Sequence, residues 1–348
     1  MRNRPMLLAV ALAGLSCNAN PTRHAVETPA RYKVHALALP GAPDGAVFMD
    51  FLAYDRARHR VWVPAGNTGS VDVVDTSSEH VTRIDGFRTA DIERGGVKRT
   101  VGPSSATVGD GFVFVGNRGD SSVCAFQAAS LAKAGCIKLD SMPDGLAYIA
   151  ATHEVWITTP RTRSITVLGA TSSGTLSAKE TVSLDGAPEG FAVDETRRVF
   201  YTNLEDRDRT LAIDVVSRRV TETWMPNCGE DGPKGLALDQ QLDFLFVACS
   251  DHVLLLDAGH HGKQLSRIDT GGGVDNIDYV EKRREVYVAA ARAATLTVAH
   301  LSERGTLATR AVVPTAKGAR NAVATDEGVA YVADSPEGTL LVVGPATR

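Results

Sequence analysis

Seven polar residues recur at intervals of roughly 40 to 55 residues, each opening a short stretch of small and apolar residues. They are Asp50, Ser104, Asp144, Glu189, Lys234, Asp275 and Arg320, with Asn276 and Asn321 directly after the last two. Asp144, Glu189 and Asp50 supply carboxylate oxygens and the asparagines supply neutral ones, a donor set suited to Ca²⁺ or Mg²⁺. A hard cation there can polarise a carbonyl and activate a water, as in a metal-dependent hydrolase. The same positions support two other chemistries. Glu189, Lys234, Asp275 and Arg320 alternate in sign and can satisfy one another as an ion-pair ring. Arg118, Arg161, Arg292 and Arg320 carry guanidinium forks that suit the oxyanion of a small anionic ligand. In that reading Lys234, Asp275, Asn276 and Asn321 complete the ligand site, while Asp144, Glu189 and Asp275 hold the arginines and set selectivity. All three readings stay open on sequence alone.

The elements that position these residues repeat with them. Asp144-Gly145-Leu146-Ala147 is followed by Val155-Trp156-Ile157, and Glu189-Gly190-Phe191-Ala192 by Val199-Phe200-Tyr201. Lys234-Gly235-Leu236-Ala237 is followed by Phe244-Leu245-Phe246-Val247. A period of this length filled with short strands predicts an all-β fold, a seven-bladed β-propeller of four-stranded antiparallel blades. The blades are expected at about 46–87, 99–139, 141–184, 186–225, 228–268, 270–313 and 315–344. The last lacks an outer strand, and residues 32–39 alternate in part, so this segment is expected to pair with blade seven and close the ring. Aspartates ending third strands (Asp75, Asp214, Asp257) read as turn residues bonding local amides. The interblade insertion Asp91 to Arg99 is expected to be a surface loop, a lid or partner contact.

Val61-Trp62-Val63-Pro64-Ala65-Gly66-Asn67-Thr68-Gly69-Ser70-Val71-Asp72-Val73-Val74-Asp75 resembles the YVTN-type propeller repeat, as do Phe114 to Val123 and Val199 to Asn203. The resemblance spans almost all of residues 32–348 and implies the propeller fold and an extracytoplasmic setting, not an activity. Pro143-Asp144-Gly145 also resembles a metal-ligand phrase of gluconolactonase-like propellers, and Pro188-Glu189-Gly190 is a similar phrase. That second resemblance implies a lactonase with Asp144 and Glu189 on the metal. No S-N-G phrase is present; Asp275-Asn276 and Arg320-Asn321 are approximate substitutes.

With 348 residues, a net charge of −4 and no run of Lys or Arg longer than Lys282-Arg283-Arg284, the chain lacks the basic stripe of a nucleic-acid binder. Arg2 and Arg4 precede a short apolar stretch, Met6 to Leu15, too short to span a membrane as a mature helix. Residues 1–16 are therefore expected to be an export signal and 17–31 a polar tether. Gly14-Leu15-Ser16-Cys17 resembles a bacterial lipobox, which makes Cys17 a lipidation site and the membrane a contact only through the anchor. Cleavage after Ala19 instead gives a soluble periplasmic or secreted protein. The other cysteines suit an oxidising compartment, with disulfides Cys124–Cys136 and Cys228–Cys249 expected, or buried free thiols otherwise. His260-His261 reads as an exposed turn. Gly271-Gly272-Gly273 lacks the helix of a dinucleotide motif, and Ser104-Ser105 lacks a nucleophile elbow. A closed ring needs no partner to fold, so a monomer binding a small anionic ligand or an envelope protein is expected.

Overall fold

The computed structural model describes residues 31–42 and 45–346. The export signal, most of the tether and Cys17 lie outside the described residues. Seven four-stranded antiparallel sheets are arranged as blades. Blade one comprises strands Ala53–Asp55, Arg60–Ala65, Ser70–Asp75 and Val81–Ile84. The later inner strands begin at Pro103, Leu146, Pro188, Leu236, Val274 and Arg320. The chain runs outward through each blade and returns to the axis to start the next.

Second strands are buried on both faces. Phe112–Asn117 and Glu154–Thr159 are buried throughout, and their β-branched and aromatic residues fill the space between adjacent sheets. Outer strands alternate with solvent, as in Lys133–Lys138. Each hydrophobic cluster joins neighbouring blades: Ala147, Trp156 and Ile165 of blade three meet Phe200, Leu211 and Ile213 of blade four. The core is therefore a ring of interblade seams. Glycines after the inner polar residue are required by this crowding. A Cβ on Gly190 would overlap the backbone of Lys234 and Gly235, and one on Gly145 would overlap the Phe191 ring.

The ring closes as expected. Tyr32–Ala38 pairs antiparallel with Thr339–Pro345, in register from Tyr32 opposite Pro345 to Ala38 opposite Thr339. Both expected disulfides are present, Cys124–Cys136 across one hairpin and Cys228–Cys249 within blade five. Asp75 accepts from the Ser77 hydroxyl, from the amides of Ser78 and Ser77 and from the Ser78 hydroxyl, bonds that hold its carboxyl down at about 2. Asp214 likewise accepts from Ser217 N, whereas Asp257 takes the His260 ring instead of an amide. His260 and His261 sit in an exposed turn.

One expectation is corrected. Residues 91–99 are not an irregular loop: Ala90–Arg94 pairs with Val97–Val101 as a two-stranded hairpin. Blade two consequently starts at Pro103, not near residue 99. Gly95 and Gly96 both take positive φ at its tip, which a β-branched residue would resist.

Candidate functional site at the channel mouth

The seven recurrent polar residues converge because each stands at or just before the start of an inner strand. All seven line one cavity of about 1070 Å³ at the channel mouth, and so do Arg118, Arg161, Glu205 and Arg292. Beneath the polar ring, Phe51 of blade one and Phe191 of blade four stack with ring centroids 5.7 Å apart. A second cavity of about 150 Å³ lies beside this aromatic pair, lined also by Asn276, Asn321 and Asp278.

Most charged groups already have partners. Arg118 Nη2 donates to Asp50 Oδ2 at 2.8 Å and also to Asp144 Oδ1. Asp144 is pushed up to about 6 by burial, which the Arg118 charge only partly offsets. Burial opposes the charge on Arg118, but Asp144 and Asp50 more than restore it. Arg320 Nη1 lies 3.1 Å from Asp275 Oδ2, and Lys234 Nζ bonds Glu205 Oε1. Burial raises the Asp275 carboxyl despite Arg320.

The alternating ring is thus only partly realised. Asp50 is reached by Asn321 Nδ2 at 3.2 Å, not by Arg320. A register shift between Arg320 and Ala322, with Asn321 at φ 60°, separates the two side chains. Asn321 Oδ1 also accepts from Asn276 N at 3.0 Å. Lys234 turns to Glu205, which leaves Glu189 with no side-chain hydrogen bond or ion pair among the described residues. Burial, reinforced by Asp144, Asp275, Asp50 and Glu205, raises the Glu189 carboxyl well above its ordinary range. Other loop amides act as latches: Asn67 accepts from Phe48 N, and Asn203 donates to Lys234 O.

Three arginines on the cavity wall remain without an ion pair or side-chain hydrogen bond among the described residues: Arg99, Arg161 and Arg292. All three are exposed. Arg161 and Arg292 were legible from their place after the second strand of blades three and six. Arg99 was missed, because it arrives on the hairpin with Ile92, Thr100 and Val101. The signal was there: alternating residues on both sides of Gly95-Gly96 mark a hairpin. Apolar lining from Phe48, which is 44 % exposed, and from Met142 was also missed. Among the described residues, no three His, Cys, Asp or Glu side chains are grouped so as to hold a metal ion. Arg118 stands between Asp50 and Asp144, two of the three expected metal ligands.

No protein-family model matches the chain, and no curated protein matches it in sequence. The YVTN-type resemblance therefore rests on the repeat residues themselves. Solved structures match the fold closely. A chain of a mitotic checkpoint complex is 15% identical at a TM-score of 0.72, with 99% of each chain covered. A streptogramin B lyase is 12% identical at 0.70, covering 92% of this chain and 99% of that one. A catalytically inactive virginiamycin B lyase from Staphylococcus aureus, solved with quinupristin, is 12% identical at 0.69, covering 90% and 99%. These likenesses establish the propeller, a scaffold that commonly mediates protein interaction, and carry no activity.

Proposed function

We propose that the protein is an exported, lipid-anchored binding module whose channel mouth takes a small anionic ligand. One observation carries the reading: Arg161 and Arg292, with Arg99, line a large cavity without acids of their own. Four of the cavity's carboxylates are committed elsewhere, to Arg118, Arg320 and Lys234, and the other two, Glu189 and Asp231, are bonded to none of the three arginines. An unpaired guanidinium on a concave wall is a ready fork for carboxylate or phosphate. A solved propeller of the same fold, the inactive virginiamycin B lyase, was solved with quinupristin, in keeping with a small ligand on such a scaffold. The metal-dependent hydrolase alternative, with Asp144, Glu189 and Asp50 on Ca²⁺ or Mg²⁺, sets a dication beside the Arg118 guanidinium that already bonds one oxygen of two of those carboxylates.

The test is a calorimetric screen of small carboxylates and phosphates against the wild type, Arg161→Ala and Arg292→Ala. Each substitution is expected to weaken the best ligand roughly 10-fold or more, by removing a charge-assisted hydrogen bond. The fold stays intact, since neither side chain has a partner to lose. Equal affinity in both variants would count against the reading.

Export is supported by the two disulfides, which persist in oxidising compartments. Expression of the full chain in a bacterial host is expected to place it in the membrane fraction facing the periplasm. Cys17→Ala is expected to move it to the soluble fraction or leave it unprocessed. A Cys17→Ala protein that fractionates with membranes exactly as the parent does would defeat the anchor.

A further inference from the structure

The same cavity carries a second, opposite chemistry on its inner wall. Ser104 is 4 % exposed and Asp144 is 8 % exposed, yet Ser104 Oγ and Asp144 Oδ2 are buried without a hydrogen-bond partner. Both residues line the cavity, together with the unpaired Glu189. The three come from consecutive blades, two, three and four, at equivalent starts of their inner strands. Each offers an oxygen acceptor. Buried acceptors left open are costly, and native folds rarely keep them without a use. Asp144, Asp275, Asp50 and Glu205 act on Glu189 with like charge. The cations Arg118, Arg320 and Lys234 are bonded to Asp50 and Asp144, to Asp275 and to Glu205. The corner at Glu189 is therefore rich in acceptors and negative, and among the described residues no cation is bonded to Glu189.

A primary ammonium has three N–H donors and one positive charge, which matches three acceptors from three blades. Opposite in character, the exposed arginines of the rim suit a carboxylate. Building on the anion-binding reading of that rim, we propose that the mouth takes a short zwitterionic peptide. Its α-ammonium lies on Ser104, Asp144 and Glu189, and its carboxylate on Arg161 or Arg292. A cavity of about 1070 Å³ has room for several residues, and Phe48, Ile92 and Met142 supply apolar wall for their side chains. An ammonium beside Glu189 favours its ionised form and offsets the burial and like charge that raise its carboxyl.

The experiment incubates the full-length protein with an equimolar mixture of tripeptides and weighs the retained peptides by native mass spectrometry. The mixture is used in three forms: free, N-acetylated and C-amidated. Free peptides are expected to be retained, and N-acetylation is expected to cut retention roughly 10-fold or more, the loss of a charge-assisted bond. Equal retention of N-acetylated peptides overturns the ammonium subsite while leaving the arginine rim intact. Retention of amidated peptides at the free level, with loss of N-acetylated ones, upholds the ammonium subsite and overturns the rim. Retention of none of the three overturns the peptide proposal. A retained peptide is then titrated calorimetrically at pH 7 against the wild type and Glu189→Gln. Glu189→Gln is expected to bind it about 10-fold more weakly, by losing a charge-assisted bond. Unchanged affinity in Glu189→Gln also overturns the proposal.

Discussion

A protein beginning at Pro40 is expected to melt at least about 10 °C below one beginning at Arg31, and to self-associate on heating. The nine residues between supply the seven-residue ladder to Thr339–Pro345 and two leucines. Leu39 is buried, and Leu37 packs against the cluster of Tyr331, Leu340 and Val342. Most other side chains of the strand are exposed, so little apolar area is lost with them. The larger loss is closure. Without the strand, Thr339–Pro345 becomes an open edge, although its central residues Leu340–Val343 are buried. An edge of that kind templates pairing with another chain. Blades one and seven also lose the link that holds them together, and in a ring every blade relies on two neighbours. Differential scanning calorimetry with light scattering reads both effects. Coincident melts for the two proteins would show that closure comes from the interblade seams alone.

The repeat made the ring legible, and the site only in part. Blade number, closure and the disulfides follow from local signals: strand spacing, alternation at 32–39, and cysteines placed on paired strands. The convergence of Asp50, Ser104, Asp144 and Glu189 on one mouth follows from the repeat itself, since equivalent positions in a ring face a common axis. Which residues pair is a different matter. The sign alternation from Glu189 to Arg320 suggested a continuous ring of bonds, but side-chain reach is set by details below the repeat. Lys234 finds Glu205 on the neighbouring loop, and the irregularity at Asn321 gives Asp50 an amide in place of Arg320. Arg118 bridges two blades because it follows the second strand of blade two, with Asp50 and Asp144 on either side. The hairpin at 90–101 was opaque for a simpler reason: it interrupts the period, and a reading built on the period treats interruptions as loops.

Arg118→Met is expected to lower the melting temperature by about 5 °C at pH 7, and by much less at pH 5. The methionine fills similar volume but leaves Asp50 and Asp144 facing a common space without a cation. Removing one partner of a largely buried pair costs about 3–5 kcal/mol, and the lower end suits a site that is partly open to solvent. At about 2.1 cal/mol/K per residue, each kcal/mol corresponds to about 1.5 °C for a chain of this size. The pH dependence follows from the direction of the shift. In the folded wild type, Asp144 titrates at about 6, above its ordinary 3.8. The folded state therefore binds more protons than the unfolded state between those values. Its contribution is fully present below the unfolded value and is lost as pH rises through about 6. Glu189, also raised, adds in the same direction. Groups held low, such as Asp75 at about 2, act oppositely and only in stronger acid. Without Arg118, the Asp144 carboxyl shifts further upward, because the attraction is gone and the repulsion by Asp50 remains. Protonation at pH 5 then relieves most of the penalty, and the melting curves of variant and parent draw together. A deficit of the same size at both pH values would mean that Arg118 acts by packing alone, not by neutralising the two carboxylates.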